Sequence, residues 1–208
     1  DAPVKVLNRI GLSGKLRAVN EVEANSLRIA GIGGGRVGDA MVVVGNLLLD
    51  FDYSLMSSVW KVPNQSFRNL AMETMKKRVG TLNKLGCDHT LESLESYLAE
   101  AFVESLERPL HEAQLEREEI QAGRNTAIDL ASGEFLSLHH PVGSVNPMKS
   151  IKISADVYIH HIHIRFEDQE ADVSVSVDKG IVTDLQTDFP RITKIRKLLI
   201  GTPLSDWT

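Results

Sequence analysis

Cysteine is nearly absent: Cys87 is the one cysteine among 208 residues. An intramolecular disulfide is therefore impossible, and a reducing, cytoplasmic setting is expected. No apolar run approaches the roughly 20 residues of a membrane helix, so no membrane partner is expected. The opening Asp1-Ala2-Pro3-Val4 has neither the basic nor the apolar stretch of a signal peptide. It also lacks an initiator Met, and the natural start is expected elsewhere. Basic residues are in deficit, with Lys plus Arg at 23 against 28 Asp plus Glu and a formal charge of −5. Nucleic-acid binding needs basic residues to displace counterions, so no nucleic-acid partner is expected. Aromatics are scarce at 5%, but 42% of the residues are hydrophobic. The length suits one ordinary domain, or one with a small addition. Such a chain buries roughly 70% of its unfolded surface and needs no disulfide or metal to hold it together.

The residues fall into three zones. Asp1 to about Asp52 is rich in Val, Leu and Gly. Leu16 to Val19 and Met41 to Val44 read as strands of a buried sheet, and an apolar run resumes at Leu47-Leu48-Leu49. Tyr53 to Leu130 reads as helical. Pro63 to Ser66 reads as a helix start, and Thr90 is a good N-cap. Leu91, Leu94, Tyr97, Leu98, Ala101 and Phe102 then share one face. Pro109 ends that helix, and a further one is expected over Glu112 to Leu130. From Gly133 onward, His139-His140-Pro141-Val142-Gly143 reads as a link. Ser150 to Ile153 and Val157 to Phe166 read as strands, and Val173, Val175 and Val177 mark a half-buried one. Asp178-Lys179-Gly180 is a hairpin loop, and a last helix follows Pro190 with Gly201 closing it.

Gly33, Gly35 and Gly38 formally satisfy G-x-G-x-x-G. A dinucleotide site needs a helix next, so that its N-terminus meets the pyrophosphate. Strand-like Met41 to Val44 follows instead, which rejects that reading. A Gly-rich connection between two strands remains, either a plain hairpin loop or backbone amides open to an anion. On the second reading a valine at Gly34 hurts ligand binding more than stability. Arg28, in Leu27-Arg28-Ile29-Ala30, either snorkels or meets such an anion. His161 and His163 share a strand face, but a zinc site needs further ligands, so a polar face is expected and no metal is assigned to them. Asp50 and Asp52 read as strand-end or capping residues. Cys87 has no feature that marks it as a nucleophile.

Asn20-Glu21-Val22, then Arg28-Ile29-Ala30-Gly31, then Gly45-Asn46-Leu47-Leu48 resembles the lipoate–protein ligase family. The family shows Asn-Asp-Ile/Val, a Lys seven residues after the Asp in Lys-Ile/Val-Ala/Ser-Gly, and a strand ending Gly-Thr/Asn-Leu-Leu. Glu21 to Arg28 is the same seven. The similarity continues through Asp50-Phe51-Asp52, Arg78-Val79-Gly80-Thr81-Leu82 and Gly133-Glu134-Phe135. The Asp178-Lys179-Gly180-Ile181 turn is similar to the family's accessory domain.

The resemblance implies an α+β fold. Residues 1–138 would be the C-terminal part of a catalytic domain with a biotin/lipoate-ligase-type mixed sheet and packed helices. Residues 139–208 would be a small α+β accessory domain. It implies ATP-dependent activation of lipoate to lipoyl-adenylate and transfer to a lysine of a lipoyl-carrier domain. Lipoate and ATP would be substrates, with Mg2+ as cofactor. Arg28 takes the position of the family's Lys, which holds the adenylate where charge develops. Asn20, Glu21, Ile29, Ala30, Gly31, Gly33, Gly34, Gly35, Gly45 and Asn46 would surround substrate and adenylate.

Arg28 for Lys keeps the charge with a different donor geometry, and Glu21 for Asp is one methylene longer. The family's N-terminal segment, with an Arg-Arg pair, a Gly-Gly-Gly loop and a His, has no counterpart here. The resemblance therefore leads to the expectation that a further segment or second chain completes the site. The alternative is a non-catalytic accessory or carrier-binding subunit.

Overall fold

The computed structural model describes residues 1–17, 20–138, 149–166, 169–190 and 192–207. The expected strand end at Val19 and the link at His139 to Gly143 lie outside these residues. The chain forms two compact units, Asp1–Glu107 with Met148–Thr208, and Arg108–Pro147. The fold class is α+β, with two four-stranded sheets.

The first unit opens with helix α1 (Ala2–Arg9), where the sequence pattern points only to sheet. Pro3 suits a first helical turn, because it lacks an N–H that would be unpaired there anyway. Ala2, Val6 and Leu7 turn inward at helical spacing. Strands β1 (Gly14–Arg17), β2 (Glu21–Ala24), β3 (Leu27–Val37) and β4 (Ala40–Gly45) follow, each antiparallel to its neighbour. A single parallel bridge joins Arg28 to Val79.

The glycine segment is strand rather than loop. β3 runs through Gly31, Gly33, Gly34 and Gly35. The last three face Val44, Val43 and Val42 of β4 in register, and the turn falls later, with Gly38 at φ +59°. The valines, strong β-formers, supply the pairing preference that the glycines lack.

Helices α2 (Tyr53–Ser58) and α3 (Gln65–Arg78) come next. Asp52 caps the first by accepting from Leu55 N at 2.8 Å, and Asn64 caps the second by accepting from Phe67 N at 2.8 Å. Thr90 caps α4 (Leu91–Leu106) as expected. α1 and α4 pack together, and Leu94 and Ala101 share a core with Val22, Ala24, Ile29 and Ala30.

The second sheet holds β5 (Ser150–Ser154), β6 (Val157–Phe166), β7 (Gln169–Asp178) and β8 (Ile181–Gln186). Val173, Val175 and Val177 pack with Ile195 and Leu199 of a last helix (Ile192–Leu199). The alternation predicts a half-buried β7, yet Ser174 and Ser176 are also buried. α3 covers that second face. Phe67, Leu70 and Met75 of α3 form one core with Ile151, Ile153, Val157 and Ile159.

In the second unit, α5 (Arg117–Leu130) begins later than Glu112, at a capping box of Glu116 and Glu119. α6 (Gly133–Ser137) follows, and neither helix has a buried residue. Among the described residues no helix is long and apolar enough to cross a membrane.

Candidate active site

The β2–β3 turn is Asn25-Ser26, both at positive φ, which suits a tight two-residue hairpin. It sets Glu21 opposite Gly31 and Glu23 opposite Arg28, with a register shift at Val22/Glu23. The backbone of Arg28 is held on its far side as well, since Gly80 N donates to Arg28 O at 2.9 Å. Its guanidinium lies over Gly31, where an added Cβ would stand 2.9 Å from Nη2. Asn46 is fixed beside it, its Oδ1 accepting from Gly31 N at 2.7 Å.

Glu21 is only 2% exposed, and such a buried carboxylate needs partners. They come from β3, from β5 and from the turn that follows β5. Ala155 N donates to Oε2 at 2.6 Å. Lys152 Nζ lies 3.2 Å and Arg28 Nη1 3.9 Å from Oε1. Arg28 Nη1 also donates to Ile153 O at 3.4 Å.

A cavity of about 230 Å³ opens from this cluster. Arg28, Lys152 and Asn46 form its polar part, and Leu48, Phe51, Met56, Trp60 and Met75 form an apolar wall. Arg68 braces that wall by donating to Ser57 O and, at 2.9 Å, to Trp60 O. Tyr53 packs edge-on against Phe51 and donates to Val79 O at 2.9 Å. Burial, then the Asp50 carboxylate, pushes its phenol pKa up. An open cleft of about 330 Å³ shares Arg28, Gly31 and Asn46 with the cavity and continues past Asn20, Gly33 and Gly45. An apolar pocket that ends at cations fits a ligand with an apolar chain and an anionic head.

Of the residues singled out by sequence, Arg28, Glu21, Gly31 and Asn46 come together. Asn20, Gly33 and Gly45 line the cleft. Ile29 and Ala30 are fully buried in the core with α1 and α4 rather than in the cavity wall. Gly34 and Gly35 lie farther out on the hairpin, exposed, and line neither space. A Cβ on Gly34 would meet Val42 O at 3.4 Å, an ordinary contact, so the expected damage from valine there has no basis in the site. Sequence reasoning missed Lys152 and the Met56–Trp60 wall. The signal for Lys152 is its place between Ile151 and Ile153, which marks a strand position opposite a core face.

Asp52 is a helix cap, Asp50 accepts from Phe51 N at 2.7 Å, and Cys87 packs half-buried on the core. His163 Nδ1 bonds Asp172 at 2.9 Å, which raises the imidazole pKa and lowers that of the carboxylate. Burial lowers the His160 pKa. Among the described residues no three His, Cys, Asp or Glu side chains are grouped to hold a metal. At the cavity the carboxylate at hand, Glu21, is already engaged by Lys152 and the Ala155 amide. The described residues at the cavity do not form a Mg2+ donor set.

The fold is similar to lipoate–protein ligase structures. Residues 1–103 match the profile of the lipoyl protein ligase A/B catalytic domain, so over this stretch the chain is similar to that family. A bipartite lipoate protein ligase from Thermoplasma acidophilum, described with its E2 lipoyl domain, is 22% identical with a TM-score of 0.61. The match covers 69% of this chain and 57% of that one. A second T. acidophilum structure, of a protein assigned as a lipoate protein ligase and with lipoic acid bound, is 18% identical with a TM-score of 0.50. That match covers 64% of this chain and 54% of the other. The chain thus spans little more than half the length of these solved relatives, and at such identities the likeness is one of fold. No curated protein matches the sequence.

Proposed function

We propose that this chain takes part in attaching lipoate to lysines of a lipoyl-carrier protein through a lipoyl-adenylate. The supporting observation is the cavity itself, an apolar wall of Leu48, Phe51, Met56 and Trp60 that ends at Arg28 and Lys152. The apolar wall takes the acyl chain and dithiolane, and the cations take the carboxylate. That carboxylate attacks the α-phosphorus of ATP and pyrophosphate leaves. The carrier lysine then attacks the acyl carbonyl and AMP leaves. Arg28 supplies a fixed positive charge where the transferring oxygens become more negative. The cleft along Asn20, Gly33 and Gly45 is open to the nucleotide part, with glycines letting a ligand approach the backbone. A second chain that completes the site belongs to the same reading.

Calorimetric titration with a lipoyl-adenylate analogue tests it. Binding that Arg28→Ala weakens at least about tenfold supports the reading, since a charged hydrogen bond contributes about 1.5–3 kcal/mol. No binding by the purified chain, with carrier-domain binding retained, favours the accessory-subunit alternative.

A further inference from the structure

We infer that Lys152 is a second anion-binding residue of this site, held by Glu21 so that its ammonium and the Arg28 guanidinium together receive the carboxylate of an acyl ligand such as lipoate. The inference rests on the lipoate reading above, and it concerns a residue outside the stretch 1–103 that the family profile matches.

The balance of charge at the cluster leads there. Glu21 Oε2 is taken by the Ala155 amide at 2.6 Å, so the cations share the other oxygen, Lys152 at 3.2 Å and Arg28 at 3.9 Å. One carboxylate balances one cation, and one positive charge is left over. That surplus sits on the wall of a cavity that both cations line. A carboxylate entering the cavity restores neutrality in a partly desolvated place, where an uncompensated charge is costly.

Neither cation is used up by its present partners. Among the described residues, Glu21 is the one acceptor near Lys152 Nζ, which has three donors. The contacts of Arg28 to Ile153 O, 3.4 Å, and to Glu21, 3.9 Å, are long for charged hydrogen bonds. The Lys152 side chain is 42% exposed, so its head remains reachable by a ligand. Its place on the strand is fixed, because Ile151 and Ile153 on either side are buried in one core with Phe67 and Met75. Arg28 then offers a planar fork and Lys152 a mobile point charge, which divides the work of gripping one carboxylate between two geometries.

The test is titration of the parent chain, Lys152→Gln, Lys152→Arg and Glu21→Gln/Lys152→Gln with lipoate and with uncharged lipoamide. The parent should prefer lipoate. Lys152→Gln should lose about tenfold in lipoate affinity and leave lipoamide unchanged, while Lys152→Arg retains most of the affinity. The double variant removes one charge of each sign and leaves the surplus on Arg28, so its lipoate affinity should fall less than that of Lys152→Gln; if Lys152→Gln alone folds poorly, protection of Lys152 in the unaltered chain carries the test. On the unaltered chain, lipoate should slow acetylation of Lys152, read by mass spectrometry, and lipoamide should not. Tight lipoate binding with Lys152 unprotected, or with equal affinity in Lys152→Gln, overturns the inference and leaves the site reading standing. Failure of the parent to bind either ligand removes the site reading, and this inference with it.

Discussion

Two glycines near Arg28 lack a Cβ for different reasons. At Gly31 the missing atom leaves room for the end of a long side chain, Arg28 Nη2 at 2.9 Å. At Gly80 it leaves room for core atoms, Ile29 Cδ1 at 2.7 Å and Leu27 Cβ at 2.8 Å. The first neighbour can swing away and the second cannot. Gly31→Ala should therefore keep stability within about 0.5 kcal/mol while lipoate affinity falls several-fold. Gly80→Ala should cost about 1–3 kcal/mol by overpacking, read from denaturant midpoints. Equal stability losses in the two variants would contradict this assignment. The sequence draws attention to glycines 31, 33, 34 and 35 alike. It cannot rank them, because what lies over a glycine depends on side chains that arrive from elsewhere in the fold.

Among the elements, those with local causes are readable. Helices α3 and α4 begin at Asn64 and Thr90, whose side chains accept from the first-turn amides. The β7–β8 hairpin turns at Asp178-Lys179-Gly180, as its residues indicate, with Lys179 and Gly180 at positive φ. Departures arise where a neighbour decides. β7 is buried on both faces because α3 lies on the serine side, and the glycines of β3 are held extended by the valines of β4. On the β6–β7 ladder, His163 faces Asp172 in register. The His163 pKa is raised by this pair, so its stabilising effect is full below the unfolded histidine pKa and fades as pH rises through the folded one. The Asp172 pKa is lowered, so its share is present above the unfolded carboxylate value and is lost as pH falls through the folded one. The pair therefore acts between the acidic carboxylate range and somewhat above the ordinary imidazole value. In Asp172→Asn the His163 ring protons should titrate at a lower pH than in the parent, by NMR. An unchanged titration would show that the pair does not form in solution.

At the scale of the molecule, the first unit is one body built from distant segments. Phe67, Leu70 and Met75 of α3 share a core with Ile151, Ile153, Val157 and Ile159 of the second sheet. Ile153→Ala should therefore cost about 2–4 kcal/mol and lower the whole unfolding transition of this unit, rather than melting the second sheet alone. Two separate calorimetric transitions for the sheets would contradict it. The candidate site has the same construction, which is why only half of it is legible in the sequence. Arg28, Glu21, Gly31 and Asn46 belong to one stretch of neighbouring strands and can be read as a motif. Their counterpart is far away, with 125 positions separating Arg28 from its acceptor at Ile153. No local pattern announces such a meeting.

That separation also sets an order of events during synthesis. A chain made from its N-terminus presents Glu21 early, while the Ala155 amide and the Lys152 ammonium that satisfy it are still to be translated. Until β5 leaves the ribosome, Glu21 remains hydrated and the cavity lacks part of its lining. On the proposed reading, a nascent chain lacks the Lys152 part of its grip on an acyl ligand until the second sheet exists.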